Sequence, residues 1–196
     1  MFDYTSEDDQ MSINKFMAID LIILASIAVF SEIAGEIFGF MGMNRTILIT
    51  LSYPMILAAY VRWGKQGLWL NLAIIVTDLI MFTSMSTSLM MVRALSNLGL
   101  VVGFIYLNYL SKRSIDIKTD IYTSLLYYII GYLGLISLQG LSQVMFQVQF
   151  SIVALLLYHL ANFILGLIVI IVMRIQPNFL VDMRKYLNNF HKKDVE

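Results

Sequence analysis

The chain contains no cysteine and only two histidines and two prolines among its 196 residues. The absence of cysteine excludes disulfides, thiolate metal sites and a cysteine nucleophile. Two histidines are also few for the nitrogen-rich ligand sets from which proteins build zinc sites. We therefore predict that the protein holds no metal and no other cofactor.

Charged residues are also scarce in this chain. Charged residues make up 13% of the chain and hydrophobic residues 59%, whereas roughly a quarter of a soluble domain is charged. A soluble fold of this length has too little interior to bury so much apolar surface. The net charge is zero, so no overall field attracts nucleic acid. This composition predicts a protein that lies in a lipid membrane and has no nucleic-acid partner.

The common catalytic and nucleotide-binding motifs are missing as well. The segment Gly64-Lys65-Gln66 lacks the upstream glycine and the hydroxyl residue of a GxxxxGK(S/T) phosphate loop. The chain also contains no HExxH motif and no GxSxG motif. We predict that the protein is not an enzyme and that a partner would have to supply any ATP-driven work.

What the chain does have is a series of six apolar runs, and a helix needs about 20 such residues to cross a bilayer. The predicted spans are 16–38, 47–61, 68–82, 89–110, 121–141 and 150–173. The second and third are short, and Pro54 is expected to kink the second. We predict an all-α fold, a single integral membrane domain of six helices over residues 1–196. Residues 1–14 would form an acidic tail and residues 177–196 an amphipathic tail.

The basic residues divide unequally between the two faces that these spans define. Eleven of the thirteen fall on the side of the termini, namely Lys15, Arg62, Lys65, Lys112, Arg113, Lys118, Arg174, Arg184, Lys185, Lys192 and Lys193. Arg45 and Arg93 fall toward the other side. Short cytoplasmic loops carry an excess of lysine and arginine, so both termini are predicted to be cytoplasmic. The acidic start lacks a signal peptide's basic region, so the first run is expected to remain as a span.

Polar and aromatic side chains recur on spans four to six at helical spacing. Residues three or four positions apart share a helix face, and rings with a few amides suit an amphipathic ligand cavity. The predicted substrate-binding residues are Arg93, Asn97, Tyr132, Gln139, Gln143, His159 and Asn162. The alternative is hydrogen bonding between helices without a ligand.

Other ionisable residues inside the spans are functional candidates because burying them in a bilayer is costly. Asp20 is expected to reach the membrane interface. Glu32 and Glu36 either face water or bind a cationic group. Asp78 pairs with His159, caps a kink or lines a cavity. Small residues on span one, namely Ala25, Ala28, Ser31, Ala34 and Gly35, predict a packing face within the bundle or against another protein.

Two stretches carry a family resemblance. The segment Pro54-Met-Ile-Leu-Ala-Ala-Tyr-Val-Arg-Trp-Gly-Lys-Gln-Gly67 resembles the turn between spans two and three of substrate-binding S components of energy-coupling factor (ECF) transporters. The segment His159-Leu-Ala-Asn162-Phe-Ile-Leu-Gly166 resembles the last helix of that family. The chain departs from the family pattern in having Lys65 after Gly64, where proline is usual, and Ala25-x-x-Ala28 in place of Ala-x-x-x-Ala.

The resemblance implies a function and a set of partners. An S component captures a vitamin or a similar small molecule from outside through spans four to six. It docks through spans one to three on a transmembrane coupling protein of the EcfT type, which two ATP-binding cassette ATPases drive. Its location would be the plasma membrane of a prokaryote, as a multi-pass protein.

Two other functions remain open. A scaffold protein of the cell-shape and cell-wall machinery, like the rod-shape protein MreD, has similar length and span number but needs no pocket. An intramembrane enzyme would use Asp78 and His159 as an acid/base pair. The ligand also stays open, because tyrosines and amides suit a flat heterocycle, Glu32 and Glu36 a cation, and Arg93 an anion.

Overall fold

The structure is a computed structural model that describes residues 6–40, 49–81, 86–117, 120–176 and 179–187. Within these ranges every regular element is helical, so the all-α prediction is confirmed for the described chain. The helices are α1 (Ser6–Phe40), α2 (Ser52–Trp63), α3 (Leu68–Met81), α4 (Thr87–Leu98), α5 (Val101–Lys112), α6 (Ile121–Met145) and α7 (Ile152–Ile175). A 3-10 turn, Gly64–Gly67, joins α2 to α3.

Four segments are long and apolar enough to cross a membrane: Ile13–Gly35, Thr87–Lys112, Ile121–Met145 and Ile152–Ile175. Their outward faces carry large apolar side chains such as Phe30, Ile105 and Ile168. Such a surface is stable when lipid rather than water covers it. These helices support the prediction of a membrane protein and correspond to predicted spans one, four, five and six.

Predicted spans two and three correspond to shorter helices. α2 has 12 residues and α3 has 14, which gives lengths of about 18 and 21 Å against roughly 30 Å of hydrocarbon. α2 begins at Ser52, later than the predicted span 47–61, so that Pro54 lies in its first turn. A proline there removes no hydrogen bond within the helix, so the reason for expecting a kink does not apply.

α2 forms the centre of the bundle. All of its residues are buried, and it contacts α1, α3, α5, α6 and α7. The Leu57 side chain fills a slot between Gly103 on α5 and Gly131 on α6. A Cβ atom at either glycine would lie within 2.8 Å of Leu57 Cδ2. These two glycines therefore allow α5 and α6 to close around α2.

α4 and α5 together make one segment that is long and apolar enough to cross a membrane, and it is interrupted at Gly99 and Leu100. The turn is closed by bonds to the third preceding residue, from Gly99 N to Ser96 O at 2.9 Å and from Leu100 N to Asn97 O at 3.2 Å. Gly99 meets Gly134 of α6 backbone to backbone, leaving no room for a side chain at either position. The predicted continuous span 89–110 is thus a broken helix with 3-10 geometry at its middle.

The start of α1 and the segment after α7 meet at one end of the bundle, the termini end. There Arg62 donates to the carbonyl of Phe179 at 2.8 Å, and Arg184 contacts Met17 Sδ at 3.7 Å. The opposite end, where α1 finishes and α4 and α7 begin, is called the far end.

The structure describes part of each predicted tail. α1 already begins at Ser6, inside the predicted acidic tail. The predicted amphipathic tail contains a helical turn at 183–187 and buries Leu180 and Met183. The remainder of the two tails lies outside the described residues.

The row of small residues on α1 packs inside the bundle. Ala28 is fully buried and belongs to the main core. Ser31 donates to the carbonyl of Ala28 and shares a hydrogen bond with Thr50 at 3.2 Å. A side chain at Gly35 would strike the carbonyl of Ile49. Of the two uses predicted for this row, the structure shows packing within the bundle.

Candidate functional site

The far end contains a buried group of charged and hydroxyl side chains, the Glu32–Arg93 cluster: Glu32, Thr50, Ser52, Arg93 and Tyr158. Glu32 Oε2 accepts from Thr50 Oγ1 at 2.7 Å and from Ser52 Oγ at 2.6 Å. Glu32 Oε1 accepts from Arg93 Nη2 at 3.2 Å. Each oxygen of this carboxylate therefore has a donor, as burial of a charge requires.

Glu32 is only 1% exposed, so the interpretation that it faces water is wrong. Its neighbours come from the short non-helical segment before α2 and from its first residue, Thr50 and Ser52. Sequence analysis missed both residues, although hydroxyl residues just before a helix are a known signal for donors and caps. The side chain of Glu36, paired with Glu32 in the prediction, lies outside the described residues.

Arg93 joins α4 to two other helices. Its Nη1 donates to Tyr158 Oη on α7 at 2.7 Å, and its Nη2 reaches Glu32 on α1. Its side chain keeps 18% of its surface exposed, while that of Glu32 keeps 1%. Arg93 is therefore the accessible partner of this ion pair. Tyr158 was also missed, although it precedes the predicted site residue His159.

A second group runs between α3 and α4. Asn97 Nδ2 donates to Asp78 Oδ2 at 2.6 Å. The backbone carbonyl of Asn97 accepts from Asn71 Nδ2 at 3.1 Å, and that nitrogen also lies 2.8 Å from Tyr60 Oη. Asn71, Asp78 and Asn97 are each 1% exposed. One of the three alternatives predicted for Asp78 was a pair with His159, but its partner in this contact is Asn97.

His159 is the centre of a third group, which links α6 and α7. Its Nε2 lies 2.6 Å from Gln139 Oε1 and its Nδ1 lies 3.1 Å from Tyr132 Oη. A neutral ring protonated on Nε2 satisfies both contacts, donating to the amide and accepting from the phenol. The rings of Tyr132 and Tyr158 meet the imidazole edge-on at 5.7 and 5.0 Å. His159 is thereby fixed on both sides.

The last two predicted residues have different surroundings. Asn162 Oδ1 accepts from the backbone N–H of Thr50 at 3.0 Å, which anchors the chain just before α2 to α7. Gln143 Oε1 is buried and has no hydrogen-bond partner among the described residues. The structure therefore brings six of the seven predicted residues into hydrogen-bonded groups and leaves Gln143 apart from them.

Another ion pair lies nearer the termini end. Arg62 binds Asp20 through both carboxylate oxygens, with Nε–Oδ2 and Nη2–Oδ1 distances of 2.7 and 2.8 Å. Trp63 Nε1 donates to Asp20 Oδ2 as well. Asp20 was expected to reach the membrane interface, and it instead joins α1 to the last turn of α2 in the bidentate geometry that favours arginine.

An open groove of about 520 Å³ lies between the α4–α5 segment and α6. Its walls are mostly apolar and comprise Leu98, Gly99, Val102, Ile130, Leu133, Gly134, Ser137, Leu138 and Leu141. None of the seven predicted site residues lines this groove. The polar groups and this groove are thus separate features of the same helices.

The described residues contain no group of three or more histidine, aspartate or glutamate side chains arranged to hold a metal ion. The polar groups described above include the Glu32–Arg93 ion pair, the Asp78 carboxylate, two hydroxyls, several amides and tyrosines, and one imidazole. Such groups recognise a ligand or fix helices together.

No protein-family model matches the chain, and neither a curated protein nor a solved structure matches it significantly.

Proposed function

We propose that this protein is a membrane-embedded subunit that binds a small molecule at the far end of its helix bundle. More narrowly, we propose the substrate-binding S component of an ECF-type importer. The observation that carries the proposal is the Glu32–Arg93 cluster, a buried ion pair with a partly exposed arginine, which lies beside a network of tyrosines, amides and His159.

The energetic cost of this cluster is the first argument. Ionisable residues inside a membrane cost about 2.5–3.5 kcal/mol each on insertion scales. Apolar residues of similar volume often replace a buried ion pair without loss of stability. A bundle that needed only to be stable would therefore gain little from Glu32 and Arg93, and this favours a role in recognition.

The second argument is the position of Arg93. Its side chain has 18% of its surface exposed at the end of the bundle where α4 and α7 begin. A ligand approaching from that side would meet the guanidinium before the buried carboxylate. The T-shaped rings of Tyr158, His159 and Tyr132 lie directly behind it, and aromatic rings suit a flat heterocycle such as a vitamin.

The narrower proposal also implies specific protein partners. The sequence lacks a nucleotide-binding motif, so import would require a coupling protein of the EcfT type and two ATP-binding cassette ATPases. The surface of α1–α3 near the termini end would serve for docking, and it includes Trp69, which is 70% exposed. The proposed location is a prokaryotic plasma membrane with both termini in the cytoplasm.

The test is ligand binding by the purified full-length protein. Thermal unfolding is measured with a panel of vitamins and related heterocycles, and small molecules that co-purify are identified by mass spectrometry. We expect one compound to raise the melting temperature of the wild type but not that of the Arg93→Ala variant. Arg113→Ala is the matched control, since Arg113 is exposed and packs on Tyr109 outside the far end.

The narrower assignment has a separate test. Co-expression with a coupling protein and two ATPases should yield a stable complex and support uptake of the compound found above. If no compound shifts the melting temperature and no coupling protein co-purifies, the importer proposal is wrong.

A scaffold protein of the cell-shape machinery is the second candidate. The observation that favours it is that the polar groups of the far end hydrogen-bond to one another across α1, α4, α6 and α7. A clamp between helices needs just such contacts. Abnormal cell shape on deletion of the gene, together with normal vitamin uptake, would favour this function.

A further inference from the structure

Three exposed aromatic side chains with polar tips lie at the termini end, and we propose that they bind the headgroup region of a phospholipid bilayer. They are Trp69 at the start of α3, Tyr109 near the end of α5 and Tyr122 at the start of α6, together called the termini-end belt. Their exposed fractions are 70, 46 and 76%. The inference requires insertion in a membrane, but neither the proposed ligand nor the proposed partner proteins.

The polar tips distinguish these rings from the exposed rings elsewhere. Indole and phenol combine an apolar body with one hydrogen-bonding group, so they are most stable where hydrocarbon meets hydrated headgroups. Toward the far end, the exposed rings in the part of the chain that the structure describes are Phe30 and Phe150, which carry no polar atom. The connections from α1 to α2, from α3 to α4 and from α6 to α7 contain no tryptophan and no tyrosine. The belt is therefore one-sided.

The exposed side chains around each belt residue follow one order along the helix axis. A charged residue comes first, then the ring with its polar tip, then an aliphatic residue. This order matches water, headgroups and hydrocarbon in turn. The three series are Lys65, Trp69 and Leu72 into α3; Arg113, Tyr109 and Ile105 along α5; and Asp120, Tyr122 and Leu126 into α6.

The exposed charges are divided in the same way. Between the belt and the far end, the outward surface carries large apolar side chains such as Ile23, Ile105 and Leu133. Hydrocarbon tolerates this surface, and charges there would be costly. Among the side chains that the structure describes, every exposed charged one lies at the termini end: Lys15, Lys65, Lys112, Arg113, Asp116, Asp120, Arg184 and Lys185.

The arrangement of the helices favours lipid over a partner protein as the occupant. α3 packs against α1 and α4, whereas α6 packs against α5 and α7, so the three rings are spread around the bundle. One partner protein, or a second copy of this chain, covers a single face. A headgroup layer surrounds the bundle at one level, and it meets all three rings at once.

The belt also sets the depth of the Glu32–Arg93 cluster. For helices near the membrane normal, Arg93 lies about 24 Å from Tyr109 at a rise of about 1.5 Å per residue. By the same rise, Glu32 lies about 24 Å from Phe16, the exposed ring next to Lys15 on α1. The hydrocarbon core is about 30 Å thick, so the cluster lies about 6 Å inside the opposite boundary. Solutes in the water on that side have a short path to Arg93.

The test uses the two tryptophans of the full-length protein, reconstituted alone into phosphatidylcholine vesicles. The vesicles contain lipids brominated either near the headgroup or near the end of the acyl chain. Bromine quenches indole fluorescence on contact. Trp69 is 70% exposed and Trp63 is 2% exposed, so Trp69 reports the depth and Trp63 is an internal control. We expect the shallow label to quench the wild type at least about twofold more than the deep label.

Two variants assign the signal. Trp69→Phe leaves only the buried Trp63 and should lose most of the quenching by either label. Phe30→Trp, added to Trp69→Phe, places an exposed indole about 21 Å from the level of Phe16, which is beyond the centre of the bilayer. The deep label should quench this indole more than the shallow label does. Phe30 is 75% exposed, so the exchange of one ring for another there leaves the packing intact.

Three outcomes would overturn the belt. They are equal or stronger quenching of the wild type by the deep label, equal quenching of the wild type and Trp69→Phe, and no quenching of the wild type by either label. The last result would show that protein, such as a second copy, covers Trp69. Two of these comparisons involve the wild type alone, so they stand even if a variant fails to fold. Neither a vitamin nor a coupling protein is present, so failure here leaves the proposed function untouched, and a failed vitamin screen leaves the belt untouched.

Discussion

Glu32 on α1 and Arg93 on α4 form an ion pair with an N–O distance of 3.2 Å, although they are 61 positions apart in the sequence. Two hydroxyl groups hold the carboxylate on its other side, and a phenol holds the guanidinium. Glu32 therefore retains partners even if Arg93 turns toward a ligand. This asymmetry leads to the first prediction.

Glu32→Gln should destabilise the protein more than Arg93→Met does. The first change leaves a guanidinium beside a neutral amide and weakens two short hydroxyl bonds, with an expected loss of about 3 kcal/mol. The second leaves a carboxylate with two donors and should cost about 1–2 kcal/mol. Unfolding by denaturant in detergent measures both. Ser26→Ala, at an exposed position on the same helix, is the control and should change little. A loss with Glu32→Gln no larger than that with Arg93→Met would contradict the prediction.

The Asp20–Arg62 pair should behave as a coupled unit. Asp20→Asn leaves Arg62, which is 6% exposed, without its counter-charge and should cost about 3–4 kcal/mol. Arg62→Lys keeps the charge but loses the two parallel hydrogen bonds, and should cost less. In a double-mutant cycle, Asp20→Leu and Arg62→Met made together should cost much less than the sum of the same two changes made singly. Additive effects of the two single changes would show that the pair is not coupled.

Two glycines of the bundle should differ sharply in their tolerance of a side chain. In Gly99→Ala the new methyl group meets the backbone of Gly134, which cannot move without separating α4–α5 from α6. In Gly140→Ala it meets the edge of the Phe150 ring at 3.2 Å, and that side chain can shift. We expect Gly99→Ala to lower the yield of monodisperse protein severalfold and to destabilise it by about 3 kcal/mol or more. Gly140→Ala should change the unfolding free energy by less than about 1 kcal/mol.

His159 should prove important for stability even in the absence of a ligand. Phenylalanine at this position keeps the edge-on ring contacts but removes the partner of Gln139 Oε1 and the ring acceptor of Tyr132 Oη. Tyr132 Oη keeps the backbone carbonyl of residue 159, at 3.3 Å, as an acceptor. Leaving the buried Gln139 oxygen unsatisfied should cost about 1–3 kcal/mol. Leu160→Phe, on the lipid-facing side of the same helix, should have little effect. A His159→Phe variant as stable as the wild type would contradict the assigned hydrogen bonds.

The lack of cysteine makes the topology directly testable. Single cysteines are introduced at exposed positions between helices, Lys65, Ser86, Arg113 and Ser151, and are labelled in intact cells with a membrane-impermeant maleimide. We expect Ser86→Cys and Ser151→Cys to react from outside, and Lys65→Cys and Arg113→Cys only after permeabilisation. Reaction of Lys65→Cys from outside would show that the α2–α3 hairpin does not cross as the six-span prediction requires.

Hydropathy predicted the positions of the long helices well and their internal form less well. Four of the six predicted spans correspond to segments long enough to cross a membrane. The fourth is interrupted at Gly99, where close contact with Gly134 decides the local geometry. The second predicted span is a short helix, α2, which is surrounded by the other helices. The apolar sequence of its twelve residues is equally suited to a lipid-facing helix and to a central one.

The sequence predicted which residues belong to the candidate site but not which of them contact one another. Helical spacing correctly selected Asn97, Gln139 and His159 as inward-facing residues. A pair of Asp78 and His159 was one of the three alternatives left open for Asp78, whereas the structure pairs Asp78 with Asn97 and His159 with Gln139 and Tyr132. Spacing along one helix shows which residues share a face of that helix, but it does not show how two helices are positioned along each other's axes.

The sequence by itself determined that the chain is helical and suited to lipid, because a long apolar run can satisfy its backbone hydrogen bonds in a membrane only as a helix. It also determined which residue types would be costly to bury. The tertiary structure decided where the charges go. Asp20 pairs with Arg62, and Glu32 pairs with Arg93. Which residue becomes the partner of a buried charge depends on how neighbouring helices are rotated and shifted along their axes, and this is decided only when the helices pack.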